Sequence, residues 1–572
     1  MRLLTIIWKG LKMFWTFLTR IIKAVRIRRV HVWAAFYFIG IWNFLEPMIT
    51  FFGFSDPTIE IIRNLGIAVF PLIIISAWFH GEPGTQKFKP VEGASLIFGL
   101  VLASFIYYNL SRTPTPVYSV IVPYSNEQKA EFHENVLRRF EEKHKVQIVL
   151  KSFDENYEEN LFNVLNSEQD SSNVILAKVP LHYTGILLNG NRARLISYDD
   201  LVSQSATLDE RPLDSLLAQL DADAVRLGRR QTTSGELYFM PAEFQTTVLV
   251  YSTSKVADAV QNWQSQKPLV DAAFYAITGH SLPADYRLED NPELWDYFDM
   301  FTVNWYWTHQ SDEGYGTPKF ASPCFKDEKM VTYLMNRALS HGASLEQVFN
   351  LPYKTDVFPP AAIAEMYYWE AIFRRAGLYY SGMWLGDGIT EPEIVELLKT
   401  GKIYMAFVSN DQLPNLLANQ ADLQIATLPA GASVTGKRGL KKGLLDVWFW
   451  AAPAVSPAQD LSCKLAFYLS QKKSQKKIAQ KFYAIPTRKK LLNDEILKAE
   501  PAHPIWPVLI DQVHINKKSE QGINPYKHFQ KSNYDILVQF YYMKWQAIVK
   551  GEGFLTLREK FNEKSIVGIL ML

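Results

Sequence analysis

Apolar residues are distributed very unevenly along this chain. Residues 1–29 interleave apolar and basic positions at helical spacing, with Leu3, Leu4, Ile7, Trp8, Leu11, Phe14, Trp15, Leu18, Ile21 and Ile22 falling largely on one side. This pattern predicts an amphipathic helix suited to the interface of an anionic membrane. Three long apolar runs follow, at 31–53, 61–79 and 94–110. Crossing the bilayer core takes about 20 residues, with about 17 as a lower bound, so each run is long enough for a transmembrane helix. The first run contains Glu46 and Pro47. It spans fully only if that carboxylate lies near its outer end; otherwise it is re-entrant and only two runs cross. The runs are too long and too far from the start for a cleavable signal peptide.

Beyond residue 110 the pattern changes. Residues 111–116, with two Pro and two Thr, read as a short linker. A strand is expected at 117–122, an amphipathic helix at 127–144, a strand at 146–150, a helix at 157–166 and a strand at 174–177. Such βαβαβ order predicts a parallel sheet with helices on both faces. Further strands are expected within 237–251 and at 403–408, 424–428 and 444–452. Helices are expected at 361–376, 391–400 (stopped by Gly401), 461–470 and across much of 531–562.

Charge sets the orientation. The chain of 572 residues has 60 basic and 58 acidic residues, a net of +2. Its first 45 residues contain eight basic and no acidic residues, so the remaining 52 basic and 58 acidic residues give −6. Lys and Arg near the ends of membrane spans mark the cytoplasmic side. The basic arm at 1–30 is therefore placed inside, three helices fill 31–110, and everything beyond about 111 lies outside. The expected localisation is multi-pass in the cell (inner) membrane, with the C-terminal domain periplasmic or extracellular. A mildly acidic outer domain argues against nucleic acid as its ligand.

Candidate chemistry is sparse. Gly431 to Lys437 satisfies G-x-x-x-x-G-K, but the next residue is Arg438 where a Ser or Thr should ligate Mg²⁺. This reads as a basic loop. His133-Glu134 lacks the second His of a zinc helix, and neither G-x-S-x-G nor C-x-x-C occurs. Two cysteines, Cys324 and Cys463, exclude a disulfide-rich scaffold. No catalytic residue, metal or cofactor is expected, which favours binding over catalysis. Aromatic residues are abundant: 15 Trp, 28 Tyr and 35 Phe, enough to line a pocket as well as a core. Tyr367, Tyr368 and Trp369 fall mid-helix and read as core. Trp384 lies in a Gly-rich loop and is the better ligand candidate; Trp305 and Trp448 are intermediate.

Several stretches, in order, resemble the extracellular solute-binding proteins of ABC importers, in the sugar-binding group that includes maltose-binding protein. They are the first strand, helix and second strand from 117 to 146, Ile196-Ser-Tyr-Asp-Asp-Leu201, and Gly235-Glu-Leu-Tyr-Phe-Met-Pro241 followed by 248–251. The helix, glycine and strand from Glu393 through Gly401-Lys402 to Met405-Ala406 follow, then Leu428-Pro429, 466–469, Gln475 and Tyr483 to Arg488. Two departures occur: Tyr251-Ser-Thr stands where the family has Tyr-Asn-Lys, and no Trp follows soon after Met405.

The resemblance implies a two-lobed α/β fold of the periplasmic-binding-protein type (type II), here preceded by three transmembrane helices. Mapped onto this chain, lobe one would be 117–242 and 432–490, and lobe two 243–431 and 491–572. The implied function is capture of a small solute, a carbohydrate, between the lobes and its presentation to an ABC-type permease. Membrane lipid would be a further partner. Site candidates implied by the hinge and strand ends are Glu243, Phe244, Trp305, Trp384, Asp387, Asn410, Asp411, Asp446 and Trp448. Two alternatives stay open. One is a structural or signalling subunit of a membrane assembly that kept the fold without transport. The other is an extracytoplasmic glycan-active enzyme, which needs two carboxylates facing each other across the cleft; Asp387 and Asp446 are the pair to measure.

Overall fold

The computed structural model describes residues 97, 99–104 and 115–551. Within the last range it omits 154–156, 168–172, 190–194, 205–212, 231–234, 311–315, 326–328, 350–360, 385–387, 419, 437–438, 457, 493–504 and 520–530. The basic arm, the runs at 31–53 and 61–79, and most of the run at 94–110 therefore lie outside the described residues. So does 552–562, the end of the last expected helix. Residues 97 and 99–104 are helical, with Ile97, Leu100 and Val101 exposed. Among the described residues no helix is long and apolar enough to cross a membrane.

Pro116–Leu572 forms one compact unit built as two α/β lobes, each around its own sheet. The first sheet starts with β1 (Val117–Ile121), β2 (Gln147–Lys151) and β3 (Val174–Pro180). Both β2 and β3 pair with β1 in parallel. The helices between them arise where the sequence switches from β-branched runs to apolar residues at helical spacing. Ser125 starts the first of these with a capping box to Gln128. That helical segment runs from Asn126 to His144 through a π turn at His133–Leu137.

β4 is Leu195–Ile196, and β5 (Phe239–Gln245) returns to the same sheet. After β5 the chain changes sheets at Thr246. β6 (Thr247–Ser252), β7 (Phe320–Ala321), β10 (Met405–Ser409) and β11 (Leu423–Ala426) make a second sheet in the order β11-β6-β10-β7. Between β7 and β10, β8 (Cys324–Phe325) and β9 (Gly388–Ile389) form a small separate pair. The chain then crosses back into the first sheet as β12 (Asp446–Pro453) and β13 (Ile485–Pro486). It finally leaves again to place the helix Ile505–Ser519 on β6 and β11.

The first sheet has seven strands in the order β13-β5-β12-β3-β1-β2, with β4 on β12. It is mixed, not purely parallel as the local βαβαβ pattern predicts. β12 runs antiparallel to both β3 and β5, and β13 antiparallel to β5. The reason is topological: β12 re-enters after an excursion through the other lobe and is not bound by the right-handed crossover that makes successive neighbouring strands parallel.

The second lobe is rich in buried aromatics. Trp295, Trp307 and Trp369 are at most 1% exposed. The Trp369 ring packs against Phe274, Phe298 and Tyr297, and its indole N–H donates to the Ala432 carbonyl. The stretch 431–443, read from the sequence as a basic loop, is glycine-rich for a packing reason. A Cβ on Gly431 would lie 2.2 Å from the Ser340 carbonyl oxygen, and one on Gly439 would lie 2.6 Å from that of Gly431. The glycines let two backbones touch, with Leu440 N–H donating to Ser340 at 3.2 Å.

Candidate functional site

In open α/β sheets, ligands bind outside the carboxyl ends of the strands, where the strand order reverses. At that end of the first sheet polar and aromatic groups converge around Lys178. Every residue of β3 is buried, Lys178 included at 1% exposure. Its Nζ lies 2.6 Å from Glu243 Oε1 on β5, and donates to Tyr124 Oη at 3.0 Å just past β1. It also sits 4.7 Å above the Tyr124 ring and 5.4 Å from the Trp448 ring centroid. Burial alone would drive the amine toward neutrality, but the Glu243 carboxylate and Tyr124 outweigh it and hold the Lys178 pKa above its ordinary value. Burial pushes the Tyr124 hydroxyl up to about 12, so it stays protonated.

Trp448 on β12 lies in register opposite Glu243. Its indole N–H donates to Gln245 Oε1, and its ring meets that of Tyr157 at 6.0 Å and 55°. The Tyr157 hydroxyl donates to the Lys178 carbonyl at 2.7 Å, which closes the cluster from the helix Tyr157–Asn166.

Gln245 links the lobes. Its Nε2 donates at 3.3 Å to Asp411 Oδ1, in the turn Asn410–Gln412 after β10. Lys329 approaches the other oxygen of Asp411 at 3.5 Å, donates to Ser409 Oγ at 3.1 Å and pairs with the fully buried Glu391. Burial works to raise the Asp411 pKa, but the Lys329 ammonium and the hydrogen bonds from Ser409, Gln245 and Gln412 hold it below the usual carboxylate value. The site thus offers one part-buried indole, one buried cation–carboxylate pair and one ionised carboxylate on the opposing lobe.

Of the residues singled out from the sequence, Glu243, Trp448, Asp446 and Asp411 come together at the ends of β5, β12 and β10. Asp446 is half-buried, in register with Gln245. Phe244 points to the other face of the sheet, fully buried, with Lys517 Nζ 5.0 Å from its ring centroid. Asn410 is buried as a tie at the crossing: its Oδ1 accepts from Thr246 N at 2.8 Å and its Nδ2 donates to the Tyr483 carbonyl at 2.9 Å. Trp305 belongs to the aromatic core of the second lobe, at 9% exposure and stacked 4.5 Å from His309. Its helix, Tyr297–Gln310, also buries Phe301, Val303 and Trp307 in that core, so burial wins over exposure. Trp384 closes the short turn Ser381–Trp384, with its side chain outside the described residues. Asp387 also lies outside them.

Lys178, Gln245, Tyr124, Tyr157 and Lys329 were not singled out from the sequence. Lys178 did leave a signal: a lone charge inside the apolar run Val174–Pro180 must find a partner.

Comparison with known proteins adds three findings. A model of the family described as bacterial extracellular solute-binding protein matches residues 135–505. No curated protein matches the sequence. Many solved structures are similar. Maltose-bound MalE3 of T. maritima aligns at 12% identity and TM-score 0.54, over 78% of this chain and 98% of that one. MalX of Streptococcus pneumoniae, in complex with maltopentaose, aligns at 15% and 0.53, over 79% and 99%. A Thermotoga lettingae TMO ABC-transporter solute-binding protein bound with α-D-tagatose aligns at 14% and 0.53, over 78% and 99%. At these identities the likeness is one of fold.

Proposed function

The chain belongs to the bacterial extracellular solute-binding protein family, and on that premise we propose that it captures a carbohydrate between its lobes and presents it to an ABC-type permease. Capture involves no chemical step. The apolar face of the sugar lies against the Trp448 indole. The hydroxyls are held by Glu243 and Gln245 from one lobe and Asp411 from the other. Asp446 lines the approach, and Trp384 and Asp387 stay candidates on the sequence alone. Closure brings the lobes together about the crossings near Thr246, between β11 and β12, and beyond β13, as in hinge closure around a ligand.

One observation carries this reading. A part-buried aromatic ring and charge-assisted polar groups converge at strand ends, between two lobes that face one another through Gln245 and Asp411. Concave sites of this kind pair an apolar wall with a few placed polar groups. The sugars bound to MalE3 and MalX support the ligand class.

The anchor is the second element. Three apolar runs and a basic arm precede the domain, and we infer that they tether it to the outer face of the cell membrane beside its permease. Tethering raises the effective concentration at the partner without new contacts.

The test is a thermal-shift screen of the full chain in detergent or nanodiscs against mono- and oligosaccharides. A ligand that binds only the folded state raises the midpoint. A shift with at least one sugar supports the reading. Silence across sugars, amino acids and polyamines overturns it in favour of a structural or signalling subunit.

A further inference from the structure

The helix Lys472–Phe482 carries five lysines and no acidic residue. It buries Ser474, Gln475, Ile478, Ala479 and Phe482 and leaves its lysines on the outer side, with Lys472, Lys473 and Lys481 exposed. It lies antiparallel to the helical segment Asn126–His144. Lys481 pairs with Glu131 at 3.1 Å, Lys477 Nζ donates to the Asn135 carbonyl at 2.7 Å, and the Phe482 ring meets Phe132 at 5.9 Å. Lys472 and Lys473 therefore lie toward the end of the segment that carries the exposed Arg139, Lys143 and Lys145.

Stretches 131–145 and 471–482 together hold nine basic and four acidic residues, hence +5. The acids are largely engaged: Glu134 and Glu142 by Arg138 at 2.6 and 3.2 Å, Glu131 by Lys481, and Glu141 by the Ile148 N–H at 2.6 Å and by His133. The cations crowd one another. Slight desolvation, then the Arg139 guanidinium and the Lys473 ammonium, push the Lys477 pKa below its ordinary value.

This basic end is also the end at which the chain enters the domain. Lys145 leads into β2, whose first residue Gln147 pairs with Val117, the first residue of β1. Leu110, the last residue of the third apolar run, is seven residues before Val117, an extended reach of at most about 25 Å. The site at Lys178 and Glu243 lies at the opposite, carboxyl end of the strands.

We propose that the face formed by Arg139, Lys472, Lys473, Lys476 and Lys477 docks on the anionic phospholipid headgroups of the membrane that tethers the chain. This rests on the tether inferred above. Charge complementarity selects the partner: basic clusters beside a membrane anchor bind anionic lipid, each Lys contributing about fivefold in affinity, within a Debye length of about 8 Å at physiological salt. Docking holds the solute site away from the headgroups while the cleft waits for ligand. Being electrostatic, it releases readily, which frees the domain to turn toward a permease.

The experiment uses the full chain with a donor dye at Gln471→Cys. Cys324 and Cys463 are buried and stay unlabelled in the folded protein. The chain is reconstituted in nanodiscs of phosphatidylcholine, with or without phosphatidylglycerol, and acceptor-labelled headgroups report proximity. Energy transfer should be higher with phosphatidylglycerol, and should fall to the phosphatidylcholine level in about 0.5 M salt and in the K472E/K473E/K476E/K477E variant. The salt arm requires no variant to fold. Equal transfer in the two lipids at low salt overturns the proposal and leaves an acidic protein as the partner of this face. Alkaline carbonate extraction reads the tether separately. If the chain washes off the membrane, the tether fails, and the same labelled chain mixed with phosphatidylglycerol vesicles still reads the face. Binding there should drop more than about tenfold on charge reversal, and absent binding overturns the proposal.

Discussion

Buried charges hold only while each keeps its partner. Arg337 and Glu370 are 5% and 1% exposed and form an ion pair completed by the Tyr379 hydroxyl. Burial raises the Glu370 pKa, and Arg337 is what keeps the carboxylate in its charged, bonded form. Removing one member leaves the other uncompensated in a dry site. Glu370→Gln should therefore lower unfolding free energy by about 3–5 kcal/mol, whereas Tyr379→Phe should cost about 1–2 kcal/mol. Chemical denaturation of the two variants checks the ranking.

Two partly buried histidines contribute to the acid limb of stability. Burial lowers His182 and His341 from 6.5 to about 4. Both are neutral in the folded state, while in the unfolded chain they take up a proton from 6.5 downward. Their contribution is thus fully present above pH 6.5 and is lost as pH falls from there toward 4, by about 3 kcal/mol each. Thermal midpoints measured across this window should fall for the native chain and fall less for His341→Gln. Equal slopes would assign the acid loss to other groups.

At the scale of elements, backbone proximity makes glycine obligatory where the sequence pattern resembles a phosphate loop. Gly431→Ala drives a methyl into the Ser340 carbonyl, and overpacking of this kind costs about 1–3 kcal/mol or more. At Gly401, where φ is +66° after the helix Glu391–Lys399, alanine has room but an unfavourable backbone, so its cost should be smaller, about 1 kcal/mol. Melting curves for the two variants separate a packing glycine from a conformational one.

The elements themselves were largely legible. The helix Tyr157–Asn166, the strands from Val117 and Val174, and the stop at Gly401 follow from periodicity and breakers that act within a few residues. The direction of β12 was not legible, because it is decided by an excursion through the other lobe between Gln245 and Asp446. The same distinction applies around the site. Glu243 and Trp448 stand beside a crossing that the sequence marks with Pro241 and a run of β-formers. Trp305 has the same local appearance, yet it is buried in the aromatic core of the second lobe. Lys178 and Gln245 acquire their meaning only when β3, β5 and β12 lie side by side.

At the scale of the whole molecule, the two sheets share their chain through three crossings, and side chains tie those crossings together. Asn516 Nδ2 donates to Thr246 Oγ1 at 3.2 Å and to the Leu444 carbonyl at 2.9 Å, which joins the first two crossings. Lys517, on the same helix, pairs with Asp221 of the first lobe. These bonds sit where a hinge must bend. Asn516→Ala should loosen the relation of the lobes and weaken ligand binding several-fold without touching the ligand, because an opened ensemble lowers the competent fraction. Small-angle scattering with and without ligand reads that difference directly.

The central claim is that the cleft between the lobes holds a sugar against Trp448. Calorimetric titration of the full chain with maltooligosaccharides and monosaccharides, on the native protein and on Trp448→Ala, tests it most directly. The account predicts saturable heat with at least one sugar, with affinity lost by about tenfold or more in the variant as the stacking surface disappears. Binding that is unchanged in Trp448→Ala, or no heat with any sugar, would contradict it.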